Sequence, residues 1–176
     1  MSAPDIDWDQ VTQEATDLLS RYLTIDTTNP PGNEEPAARF LADLLRAEGI
    51  DDITFYDASD ETSKGRVSML ARLPGDGSAR PLVLLNHTDV VPVERDGWDE
   101  EPFAGLVKDG VIWGRGAVDM KGMGIMELIA MFLIRRHNIP TGETSTSSPS
   151  PTKRKAASTA WSTWTSTIRR RWKAST

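Results

Sequence analysis

Apolar residues recur at helical spacing through residues 9–23, at Val11, Ala15, Leu18, Leu19 and Tyr22. This is the stripe of a helix that buries one face, with Asp9 as its candidate N-cap. The segment TTNPPGN, residues 27–33, stops it, because two prolines and a glycine cannot continue a helix. A second stripe, Phe40, Leu41, Leu44 and Leu45, predicts a helix over 34–48 that Gly49 ends. The pattern then changes to short apolar runs. Residues 53–56 and 66–73 read as strands, PGDG within 74–79 reads as a turn, and 82–86 is nearly continuously apolar, as in a strand buried on both faces of an α/β sheet.

Residues 88–103 are rich in Pro, Asp and Glu, too long for a mere joint and therefore marked as functional. Residues 106–107 and 111–113 flank a Lys-Asp-Gly turn and predict a hairpin. Gly114 and Gly116 read as flexible backbone. Residues 120–137 are strongly apolar and predict a buried helix, in which Gly122 and Gly124 cost propensity and are read as close-packing positions. Two helices, three strands, a hairpin and a helix predict an α/β fold, a largely parallel or mixed sheet flanked by helices.

Charge divides the chain. All 26 Asp and Glu lie in residues 1–143, with 13 of the 20 Lys and Arg. Residues 144–176 hold no acid, seven bases and 16 Ser or Thr among 33 positions. The acidic first part argues against nucleic-acid binding there. The second reads as a low-complexity basic tail whose composition suits disorder. With no cysteine, a metal site must use His and carboxylates. No apolar run reaches membrane-spanning length, and the acidic start is unlike a secretory leader, so a soluble cytoplasmic protein with no membrane partner is expected.

Two stretches carry candidate chemistry. His87 and Asp89 follow the apolar run at 82–86, and side chains two apart on a strand share a face. A carboxylate beside a metal-bound imidazole fixes its tautomer; a strand-end His capped by its neighbour is the plainer alternative. Asp119 lies in GRGAVDMKG, ahead of the long apolar helix, where ordinary helix capping would also explain it.

HTDVVP, WDEEPF and GRGAVDMKG in this order resemble the di-zinc amidohydrolase and exopeptidase family of acetylornithine deacetylase, succinyl-diaminopimelate desuccinylase, aminoacylase and glutamate carboxypeptidase, over about residues 8–140. The resemblance implies the N-terminal portion of a zinc-exopeptidase-like catalytic domain that hydrolyses amide bonds of N-acyl amino acids or short peptides. It implies that His87 binds one metal, Asp119 bridges two, and Asp89 orients the His87 ring. The ions would be zinc, with cobalt or manganese as alternatives. Trp98, Pro102 and Phe103 match a structural stretch and read as packing residues.

The family's next strand, its acidic pair of general base and ligand, its last His and its lid and dimerisation domain find no match. No carboxylate follows Glu143 and no His follows His137. The chain is accordingly expected to bind metal weakly, to lack activity and to expose apolar surface; the dimer contact would be lost with the lid. Shifted one base back, the codons from Thr144 permit DVYLVAVADEEEGGKHGV, a strand followed by an acidic pair. A frameshifted or truncated product is therefore expected. Two other origins for the tail stay open: an expression artefact, or a basic, Trp-bearing segment (Trp161, Trp164, Trp172 and Arg169–Arg171) of a non-catalytic interaction protein that binds a nucleic acid or an anionic surface.

Overall fold

The computed structural model describes residues 4–61, 64–142 and 144–148. Helix α1, Trp8–Leu23, is capped by Asp7 rather than Asp9. The Asp7 backbone is extended and its carboxylate accepts from the amides of Asp9 and Gln10 at 3.1 and 3.0 Å. Asp9 falls in the first turn, where a negative charge still favours the helix dipole. Helix α2, Glu35–Ala47, has Pro36 in its first turn, where a missing N–H costs nothing, and Gly49 turns the chain away at φ +71°.

Strands β1 (Ile53–Asp57), β2 (Val67–Leu73) and β3 (Leu82–Leu85) form where sequence periodicity puts them. Strands β4 (Leu106–Lys108) and β5 (Val111–Trp113) make a separate hairpin, turned by Asp109 and Gly110, both at positive φ. Helix α3, Gly122–Arg136, ends the apolar run. Strand β6 is Thr144–Ser148.

The main sheet has the order β1-β2-β6-β3. It is mixed, since β1 and β6 run antiparallel to β2 while β3 runs parallel to β6. Leu18 and Tyr22 of α1, Leu41 and Leu45 of α2, Met69 and Ala71 of β2, and Ile125, Leu128 and Phe132 of α3 share one buried cluster. Each large apolar side chain so buried stabilises the fold by roughly 1.5–3 kcal/mol relative to exposure. At the rim Arg136 of α3 clasps the other two helices, donating to Glu14 at 2.7 Å and to Glu48 at 2.5 and 2.9 Å.

Three expectations change. Strand β3 is not buried on both faces: Leu82 is 60 % and Leu85 41 % exposed. It lies at the edge of the sheet, where β6 is its strand partner among the described residues. Val118, Met123 and Met126 are exposed as well, in keeping with the apolar exposure expected for this chain. Second, the polar stretch after Glu143 opens with a strand. TSTSS fills the gap between β2 and β3, because a ladder of main-chain hydrogen bonds is open to any residue but proline. Residues 149–176, with the three tail tryptophans, lie outside the described residues. Third, the glycines before α3 are closely packed rather than flexible. A Cβ on Gly114 would meet Leu23 Cδ1 at 2.9 Å, and one on Gly116, at φ +88°, would meet Val90 Cγ1 at 2.7 Å.

Candidate functional site

His87 and Asp89 sit just past the end of β3, on irregular backbone. Alternation along a strand therefore does not bring them together; the loop does. His87 Nδ1 lies 3.0 Å from the backbone oxygen of Asp89 and 3.3 Å from its Oδ1. Asp89 is 4 % exposed, and its Oδ2 accepts from Asn29 Nδ2 at 2.9 Å. The backbone on either side of Asp89 is pinned to the segment after α1. Thr27 Oγ1 donates to Thr88 O at 2.5 Å, Val90 N donates to Thr27 O at 3.1 Å, and Asn29 N donates to Val90 O at 2.8 Å.

Asp119 stands in the irregular turn Ala117–Lys121, with non-helical φ and ψ and a cis peptide bond to Met120. No side-chain capping bond is made at the start of α3, which removes the capping explanation. Asp119 Oδ1 instead lies 3.0 Å from His87 Nε2. The imidazole bridges the two aspartates, and all three residues line an open cleft of about 380 Å³.

This arrangement has a direct electrostatic consequence. A neutral ring has one N–H, and with that proton on Nδ1 it serves the backbone oxygen and carboxylate of Asp89, both acceptors. In a neutral ring Nε2 then presents a lone pair to a carboxylate oxygen at 3.0 Å. Two acceptors at that distance need a cation between them. In its absence the ring takes up a proton: the hydrogen bond that the ring donates to the Asp89 side chain raises the His87 pKa to about 9, against the opposing effect of partial burial, with Asp119 adding to the rise.

Of the stretch read as packing, Pro102 is buried and Phe103 half-buried, as expected, while Trp98 lines the cleft and lies 5.0 Å beneath the Arg115 guanidinium. Gly124 meets the expectation of close packing: a Cβ there would lie 3.2 Å from Asn86 Oδ1, the amide that donates to Glu127 at 2.6 Å. Sequence reasoning missed Asn29, Arg115 and Lys121. Asn29 sits in a motif read only as a helix stop. Lys121, 1 % exposed, donates to Tyr22 O at 3.2 Å and Ile25 O at 2.6 Å. A lysine at the start of an apolar helix carries no signal of burial.

Residues 83–145 match the sequence profile described as peptidase family M20/M25/M40. The chain is 35% identical over 127 residues to aminoacylase-1 of Sus scrofa, covering 70% of this chain and 30% of that protein. It is 34% identical over 111 residues to succinyl-diaminopimelate desuccinylase of Zymomonas mobilis, covering 63% and 28%. The fold superimposes on the di-peptidase Dug1p from Saccharomyces cerevisiae with a TM-score of 0.68 at 21% identity, covering 81% of this chain and 33% of that one. The chain thus spans about a third or less of the length of these relatives. Motif order, the profile match over residues 83–145 and these relatives make this part of the chain similar to peptidase family M20/M25/M40, and the superposition shows the same fold.

Proposed function

We propose that this segment comes from a metal-dependent hydrolase of amide bonds, acting on an N-acyl amino acid or a short peptide, and that the chain as it stands does not hydrolyse them. The carrying observation is the pair of acceptors, His87 Nε2 and Asp119 Oδ1, facing each other at 3.0 Å in an open cleft. An imidazole nitrogen and a carboxylate oxygen are donors that zinc accepts; cobalt and manganese are alternatives. His87 would be a terminal ligand, Asp119 would bridge two ions, and Asp89 would orient the ring. When bound, the metal supplies Lewis acidity and a water of lowered pKa.

The donor set fits only in part. Catalytic zinc has three protein ligands, and among the described residues no group of three His, Asp or Glu could hold an ion. Among the described residues the acids that line the cleft are Asp89 and Asp119, which leaves no further carboxylate there for a general base and supports weak metal binding and no turnover. The family match stops at residue 145, where acidic composition gives way to Ser and Thr. A strand then occupies the centre of an otherwise apolar sheet with the residues TSTSS. Both observations support the reading that the sequence after Glu143 is out of the family's frame. Among the described residues no helix is long and apolar enough to cross a membrane.

The test is the nucleotide sequence through and beyond codon 143, followed by expression of the frame-restored gene. Chelator-sensitive hydrolysis of N-acyl amino acids or dipeptides by the restored product, and none by this chain, is expected. Codons that do not open onto an apolar strand and an acidic pair would refute the frameshift, and hydrolysis by this chain would refute its inactivity.

A further inference from the structure

Asp119 is 82 % exposed at its side chain, so packing of the carboxylate does not hold it opposite His87. Its backbone does. On one side Gly116 is closed against Val90, whose amide and carbonyl are bonded to Thr27 and Asn29. On the other, Lys121 N donates to Gly116 O at 2.8 Å, and Lys121 Nζ reaches the end of α1. There it donates to Tyr22 O, which also accepts from Ile25 N, and to Ile25 O just past the helix, at the negative pole of α1, with the Tyr22 ring centroid 4.8 Å away. Residues 22–29 therefore grip both walls of the cleft. They hold Asp89 through Asn29, and the Asp119 turn through Lys121.

We propose that Lys121 is a positioning residue for the His87–Asp119 pair, acting through the C-terminal end of α1, and that Asn29 is its counterpart for the Asp89 side of the ring. This rests on reading His87 and Asp119 as one cation-holding pair. The two residues act on different nitrogens of one imidazole, and that selectivity separates positioning from general support of the fold.

The experiment is long-range ¹H–¹⁵N NMR of the two histidines in the full chain without added metal, with His137 as an exposed internal reference. Lys121→Met keeps the buried stem and removes the three donors. In the folded variant the Nε2 resonance of His87 is expected to move toward that of His137, with Nδ1 unchanged. Asn29→Ala is expected to move Nδ1 and leave Nε2. If Lys121→Met does not fold, Asn29→Ala alone decides. Folded variants in which neither nitrogen moves, or in which both move together, overturn the proposal. A parallel zinc titration of the unsubstituted chain separates the two readings: no change at His87 sinks the cation pair, whatever the variants show.

Discussion

Glu34 offers the sharpest test of how burial and pairing compete in this fold. Its carboxylate is 2 % exposed, and Arg66 Nε approaches to 3.0 Å without the alignment of a hydrogen bond. Desolvation is the largest influence and raises the pKa from 4.5 to about 7; the Arg66 charge lowers it less, and the negative charge of Asp89 adds to the rise. The folded state thus holds the Glu34 proton more tightly than the unfolded chain does. Stability that depends on this proton is fully present below pH 4.5 and is lost as pH rises through about 7. At 1.36 kcal/mol per pKa unit, the loss is roughly 3 kcal/mol, a large share of an ordinary domain's stability. Glu34→Gln keeps the shape and cannot ionise. Urea unfolding at pH 5 and pH 8 should show the wild-type chain losing stability across the interval, and the variant losing about 3 kcal/mol less. If the Arg66 attraction prevailed instead, the sign would reverse: the variant would be the weaker protein at pH 8 and would match wild type near pH 4. That result would refute the argument from desolvation.

Phe132→Ala, in the α3 face of the core, should cost about 3–5 kcal/mol in urea unfolding. Gly105→Ala would place a Cβ 2.0 Å from Ser20 O at φ +61°; positive-φ strain and overpacking together should cost about 2–5 kcal/mol and part the hairpin from α1, read as lost protection of the Ser20 region in hydrogen exchange. Arg136→Ala should cost roughly 1–2 kcal/mol, because its partners are only partly buried, with the loss shrinking in 1 M salt. Zinc should raise the melting temperature of the unsubstituted chain slightly and that of His87→Ala not at all, while a chelator should leave the metal-free chain unchanged.

Much of this was legible in the residues. The stripes of α1 and α2, the Asp109-Gly110 turn and the run that becomes α3 all follow from local spacing, and so they read correctly. The meeting of His87 with Asp119 was legible only through motif order, since 32 positions separate them. Neither periodicity nor composition shows that Lys121 is buried or that Asn29 touches Asp89, because both contacts depend on where the end of α1 lies in space. The exposure of β3 was hidden for a related reason. An apolar run reports what a strand is suited to bury, and its neighbours decide whether it does. The strand at Thr144–Ser148 was missed because hydroxyl residues carry no hydrophobic alternation, while main-chain pairing asks for none.

Among the described residues the order β1-β2-β6-β3 makes β6 the only link between β3 and the other strands of the sheet. The histidine-bearing arm therefore hangs from its scaffold by a five-residue suture of Ser and Thr alone. Should that suture part, Leu82–Leu85 would swing free while Val90 stayed moored to Thr27 and Asn29, so the amides of β3 would exchange with solvent long before that of Val90.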